Sequence, residues 1–240
     1  MNKCDLHTHT VYSDGKNTAE EMVLAAIKAG LDTIGISDHS YTDIDKTYCM
    51  KKDKIGAYIN EISALKEKYG DKIRVLCGVE QDYFSDEPTS PFDYVIGSVH
   101  YVKAQNEYIP VDESAERLSQ AAEKYFGGDI YSLIEEYYRC AGNVVRKTNA
   151  DIIGHFDLIT KFQEQTPLFD ENNPRYISAW KEAADRLLKT GKPFEINTGA
   201  ISRGYRTTPY PSEKIKKYIL ENGGKFILSS DSHSTESIGK

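Results

Sequence analysis

Long apolar runs are missing from this 240-residue sequence. No segment approaches the roughly 18 uncharged apolar residues of a membrane span. Met1-Asn2-Lys3 is not followed by the apolar stretch of a secretory leader, so a cytoplasmic protein is expected. Cysteine is scarce: Cys4, Cys49, Cys77 and Cys140 stand 45, 28 and 63 residues apart. That spacing fits neither a Cys-x-x-Cys metal pair nor a small disulfide framework, and predicts free thiols in a reducing compartment. Basic charge is not in excess either. Thirty Lys and Arg against 37 Asp and Glu leave a net charge of −7, with the basic residues scattered. The electrostatic footprint of a nucleic-acid binder is therefore absent. Repeats, low-complexity tracts and linkers are also lacking, and one domain over residues 1–240 is expected, a length that sustains a single core.

What is present is an alternation of short apolar strands and amphipathic helices. Asn17 or Thr18 caps a helix with Ala19, Met22, Val23, Ala26 and Ile27 on one face, closed by Gly30. A strand over residues 33–37 follows, then a helix with Ile55, Tyr58, Ile59, Ile62 and Leu65 inward, then a strand over 74–80. A fourth strand over 94–99 comes with no helix before it, and a helical region over 114–147 breaks at Gly127-Gly128. Strands over 151–154, 193–197 and 225–230 alternate with helices carrying Trp180 and Leu187 and spanning 212–221. With the strand that opens the chain at Cys4-Asp5, seven such strands predict an α/β fold whose parallel βα units close into a TIM-like barrel.

The six histidines decide where function lies. His7 and His9 end the first strand in Asp5-Leu6-His7-Thr8-His9, and a lone His-x-His would be weak evidence. Yet His39, His100, His155 and His233 each fall just past another predicted strand, with Asp14, Glu80 and Asp231 at equivalent places. The C-terminal ends of barrel strands share one rim, where such sites lie. A histidine at one strand end is ordinary; six of six point to a metal site. Imidazole and carboxylate without thiolate suit Zn, Mn or Fe, and nine ligands suggest two or three ions.

The motifs Asp-x-His-x-His with Ser-Asp-Gly, Ser-Asp-His-Ser, Gly-Val-Glu, Gly-Ser-Val-His, Gly-His-Phe-Asp, Glu-Ile-Asn-Thr and Ser-Asp-Ser-His run from Asp5 to His233. With them the chain resembles the PHP (polymerase and histidinol phosphatase) family, in particular its bacterial histidinol-phosphate phosphatases. The resemblance implies a distorted (β/α)7 barrel and a trinuclear site. His7, His9, Glu80 and Asp231 would hold one ion, Glu80 would bridge to a second held by His100 and His155, and Asp14, His39 and His233 would take the third. It further implies hydrolysis of a small phosphate ester, foremost L-histidinol phosphate in histidine biosynthesis, by metal-activated hydroxide attacking phosphorus, with Glu80, Asp231 and His233 as catalytic members.

Divalent ions outweigh Asp14, Glu80 and Asp231 in charge, so the site would attract a phosphate dianion even in an acidic protein. Arg203 is the foremost phosphate contact, with Lys161 and Arg206 as further candidates. Asp5, Asp38 and Asp157 neighbour the histidines and are expected to orient their rings. Nucleotide or phosphotyrosine substrates remain open. An amidohydrolase-type C–N hydrolase is disfavoured because no lysine ends a strand, and a non-catalytic metal domain because the ligand set is complete. Only seven residues follow His233, so a covering C-terminal helix is expected to be lacking. The outer face of the last strand, at Phe226 or Leu228, is expected to be poorly covered and to favour a homo-oligomer.

Overall fold

The computed structural model describes residues 3–240. In chain order the first half contains β1 (Cys4–Asp5), α1 (Ala19–Lys28), β2 (Thr33–Ile36), α2 (Ile55–Tyr69), β3 (Arg74–Asp82), β4 (Tyr94–Ser98), β5 (Tyr101–Ala104), β6 (Glu107–Pro110) and α3 (Ala115–Phe126). The second half contains α4 (Ile130–Ala141), α5 (Val144–Thr148), β7 (Ile152–Ile153), α6 (Pro174–Leu188), β8 (Phe194–Asn197), α7 (Gly199–Ser202), α8 (Glu213–Glu221) and β9 (Phe226–Ser229). Seven strands pair in parallel in the order β1-β2-β3-β4-β7-β8-β9, while β5 and β6 form a separate antiparallel hairpin. This is the seven-stranded barrel that the alternation predicted, with the distortion that the resemblance implied.

Local chemistry explains the helices. Thr18 caps α1 in a reciprocal box: its hydroxyl accepts from the Glu21 amide at 3.3 Å, and the Glu21 carboxylate accepts from the Thr18 amide at 2.8 Å. That fixes the first turn and lets Ala19, Met22, Val23 and Ala26 bury together against Ile34 and Ile36 of β2. Across the barrel, Tyr137 and Tyr138 of α4 and Tyr176 and Trp180 of α6 belong to a second core that takes in Ile153 of β7 and Phe194 of β8. Between these cores the Tyr94 side chain crosses the barrel and donates to the Leu6 carbonyl. A Cβ on Gly35 would lie 2.0 Å from the Tyr94 hydroxyl, and one on Gly78 2.2 Å from its ring, so both strands need glycine there.

Two features departed from the sequence expectation. Residues 101–110 form a hairpin rather than a plain connection, turned by Gln105 with φ 55°, with Val102 and Ile109 paired and buried. The long helical region breaks a second time, at Gly142-Asn143.

The barrel closes unevenly. Thr8 and Ser232 form an isolated parallel bridge at the rim, with His9 N donating to Ser232 O at 2.8 Å. Below it, the buried Asp5 carboxylate bonds the Ser230 amide, the Ser230 hydroxyl and the Gly239 amide. Closure is therefore tightest at the end of the barrel that carries the histidines. Leu228 on β9 is 60% exposed.

Candidate metal centre

Parallel strands deliver their C-terminal ends to one rim, and β3 carries Glu80 to its middle. Glu80 is buried and faces five imidazoles. Its Oε2 lies 2.8 Å from His39 Nδ1, 3.2 Å from His7 Nε2 and 3.6 Å from His9 Nε2. Its Oε1 lies 2.8 Å from His155 Nε2 and 3.5 Å from His100 Nε2. Asp231 Oδ1 stands 3.3 Å from His9 Nε2 and 3.7 Å from His7 Nε2. Asp14 meets His233 Nε2 at 3.3 Å and His39 Nε2 at 3.7 Å. All nine residues expected as ligands thus converge in one place.

Their donor atoms fall into overlapping groups, each with atoms within 4.8 Å of one another: His9, Asp14, His39 and His233; His7, Glu80 and His155; His7, His9 and Asp231; and His39, Glu80 and His100. Several of these atoms are buried without a hydrogen-bond partner, namely His7 Nε2, both ring nitrogens of His9, His39 Nδ1 and Glu80 Oε2. Buried polar atoms are normally paired, so unpaired atoms pointing at a common centre fit a bound cation. Charge agrees. Burial, aided by His233 and His39, pushes His9 down to about 3, leaving a neutral electron-pair donor. Burial alone would raise Glu80 and Asp231; His7 among others, with Arg203 beside Asp231, holds both well below the ordinary carboxylate range. Burial would likewise lower His7, but Glu195, Glu80 and Asp231 override it and raise its pKa. The site gathers negative charge and recruits positive charge, which suits divalent metal ions held by nitrogen and oxygen.

A family model matches most of the chain: residues 5–199, which carry seven of these nine residues, match the PHP domain. The chain belongs to the PHP family. Among curated relatives, the protein named "Probable histidinol-phosphatase" in Deinococcus radiodurans is 30% identical, over 98% of this chain and 88% of its own length. The "Histidinol-phosphatase" of Lactococcus lactis is 26% identical, over 97% and 85%. Of solved structures, one from Listeria monocytogenes superposes with a TM-score of 0.85 at 24% identity, covering 99% of this chain and 98% of that one. The histidinol phosphate phosphatase of Lactococcus lactis, solved with zinc, L-histidinol and phosphate, gives 0.74 at 23% identity, covering 98% and 87%. At those identities the structures establish the fold alone.

In this PHP chain the carboxylates that touch the rings differ from those expected. Asp5 serves the seam, Asp38 accepts from Thr10 and Ser13 in the turn that carries Asp14, and Asp157 accepts from the Ser212 amide. None of the three bonds an imidazole ring nitrogen, because each is drawn to nearby backbone and hydroxyl donors. The rings are held instead by Glu195, whose Oε1 lies 2.6 Å from His7 Nδ1, and by Asp82, 3.2 Å from His100 Nδ1. Each fixes its ring by accepting the proton on Nδ1. A signal for Glu195 existed: an acid between Phe194 and Ile196 inside a strand. Asp82 shares a strand face with Glu80 two residues earlier.

Beside the cluster opens a cavity of about 330 Å³. Arg203 and Lys161 line it, Lys161 donating to the Asp112 carbonyl at 2.8 Å with its ammonium over the Tyr205 ring at 4.7 Å. Asp45, Asp112 and Glu113 line it as well, together with Tyr48 and Tyr101. These acids were not anticipated, since Asp112 and Glu113 reach the cavity only through the hairpin β5-β6. Arg206, expected as a substrate contact, lies elsewhere. It is buried among Thr160, Thr208 and Glu164 and stacks over Tyr210 at 4.8 Å, because its loop folds back on the segment after β7.

Proposed function

We propose that the protein is a metal-dependent phosphomonoesterase that hydrolyses L-histidinol phosphate to L-histidinol and phosphate, a cytoplasmic step of histidine biosynthesis. The observation that carries it is the polarity of the cavity: a cation-seeking cluster of imidazoles and carboxylates at its floor, Arg203 and Lys161 beside it, and acids on the remaining wall. A dianionic phosphoryl group is complementary to the first two. An amino-alcohol leaving group that carries an ammonium and an imidazole is complementary to Asp45, Asp112 and Glu113 with their tyrosine neighbours. The relatives named histidinol-phosphatase, aligned over nearly the whole chain, support the same substrate.

The donor set suits up to three ions of zinc, manganese or iron. His7, His9, Glu80 and Asp231 would hold one, Glu80 with His100 and His155 a second, and Asp14, His39 and His233 the third. Bound there, such ions supply a water nucleophile at neutral pH and offset the charge that develops on the phosphoryl oxygens. The chain's own residues do the rest. Glu80 keeps two groups of ligands in register through its two oxygens. Asp231 and His233, at the cavity floor, fix where the phosphoryl group meets them. Lys161 and the free N–H groups of Arg203 neutralise phosphate oxygens in the ground state.

The test is phosphate release from histidinol phosphate, a nucleoside monophosphate and phosphotyrosine, before and after chelation. Histidinol phosphate should be preferred in kcat/KM, and chelation should abolish turnover until zinc or manganese is returned. Preference for a nucleotide or phosphotyrosine would move the substrate, and full activity after thorough demetallation would remove the mechanism.

A further inference from the structure

Arg203 does more than face the cavity. Asp231 has φ 50°, a left-handed backbone conformation that residues other than glycine adopt at a cost. The turn this makes brings its carbonyl oxygen to Arg203 Nη1 at 2.9 Å. His233 Nδ1 lies 3.0 Å from that oxygen and 3.0 Å from Arg203 Nη1, which turns the ring's other nitrogen, Nε2, toward Asp14 at 3.3 Å. The second guanidinium nitrogen, Nη2, donates to Asp231 Oδ2 at 3.0 Å, which leaves Oδ1 as the oxygen turned toward His9 and His7. One planar fork thus grips both the backbone and the carboxylate of a single residue.

The surroundings are built to that grip. Arg203 directly follows α7, and a Cβ on Gly199 at the start of that helix would lie 2.7 Å from Asp231 Oδ2 and 2.8 Å from Arg203 Nη2. Only glycine leaves room for the fork and the carboxylate to meet.

We propose that Arg203 is a positioning residue of the metal centre, clamping Asp231 in the left-handed conformation that aims Asp231 Oδ1 and His233 Nε2 into the cluster. The proposal rests on the metal-binding reading above. It extends that reading, because Arg203 acts on the ligands whether or not phosphate is bound.

The test compares wild type, Arg203→Ala, Arg203→Lys and Gly199→Ala by two measurements. The first is metal content and affinity after reconstitution with zinc or manganese. The second is KM together with inhibition by inorganic phosphate. Arg203→Ala and Gly199→Ala should bind metal at least tenfold more weakly at one site. Arg203→Lys, with the charge but not the fork, should recover little. If Arg203→Ala keeps the wild-type metal content and affinity while only KM rises and inhibition by inorganic phosphate weakens, Arg203 is a phosphate contact and the clamp is refuted. Full recovery by Arg203→Lys would refute it too. Should Arg203→Ala fail to fold, Gly199→Ala decides with the arginine in place. Wild-type protein that takes up no metal would overturn the proposed function and the clamp with it, whereas wild-type protein that loads normally beside an equally loaded Arg203→Ala overturns the clamp alone.

Discussion

Replacing Glu195 with glutamine changes one atom in the most heavily bonded carboxylate of the site. Glu195 Oε1 accepts from His7 Nδ1 and from the Ser229 hydroxyl, both at 2.6 Å, while Oε2 accepts from the His155 amide at 2.9 Å and from Asn197 Nδ2 at 3.1 Å. Four donors surround an acceptor that glutamine half replaces with another donor. If the new NH₂ faces the His155 amide, that buried N–H loses its partner and cannot adapt. If it faces His7, the ring must move its proton to Nε2, the nitrogen that faces Glu80 and Asp231. Leaving one buried donor unsatisfied costs about 1–3 kcal/mol. Loss of an outer carboxylate partner typically weakens metal binding about 10–100-fold, which is about 1.4–2.7 kcal/mol. For a chain of this length, about 2 kcal/mol corresponds to a fall of roughly 4–8 °C in Tm. The assay is competition against a chelator of known affinity, with thermal melts of the metal-free and loaded protein. A Glu195→Gln protein with wild-type metal affinity and an unchanged melt would show that Glu195 does not set the His7 ring.

Glu80→Gln should cost more turnover than Lys161→Ala. The first removes the charge shared by five imidazoles, whereas the second removes a cation that meets substrate equally in ground and transition states and so mainly raises KM; full metal content and normal turnover in Glu80→Gln would contradict the bridging role. The metal-free protein should be most stable between about pH 4 and 6.5. Glu80, Asp231 and Glu195 are held below their usual pKa, so their contribution is present above about pH 4 and is lost as pH falls through the folded values. His7, His39, His100 and His155 are raised despite burial, so theirs is full below about pH 6.5 and is lost as pH rises through the folded values. Urea midpoints from pH 3 to 9 should trace both limbs, and stability that keeps climbing from pH 6 to 9 without metal would contradict the assignment.

The rim of nine imidazole and carboxylate groups was legible in the sequence because strand direction is. Once seven apolar segments alternate with helices, every strand's C-terminal end points the same way, and residues such as His39, His155 and Asp231 are grouped by position alone. The cap of α1 and the inward faces of α1 and α2 were legible for a related reason: their interactions lie within four residues of one another. Pairings across the barrel belong to the tertiary structure. Glu195 reaches His7 over 188 residues, while Asp5, only two positions from that histidine, turns to the seam where β1 and β9 leave backbone donors to satisfy. The hairpin β5-β6 brings Asp112 to the cavity, and the left-handed backbone at Asp231 gives Arg203 its two-point hold. Such contacts are chosen by which donors lack partners after the chain has closed, and nearness in sequence carries no information about that.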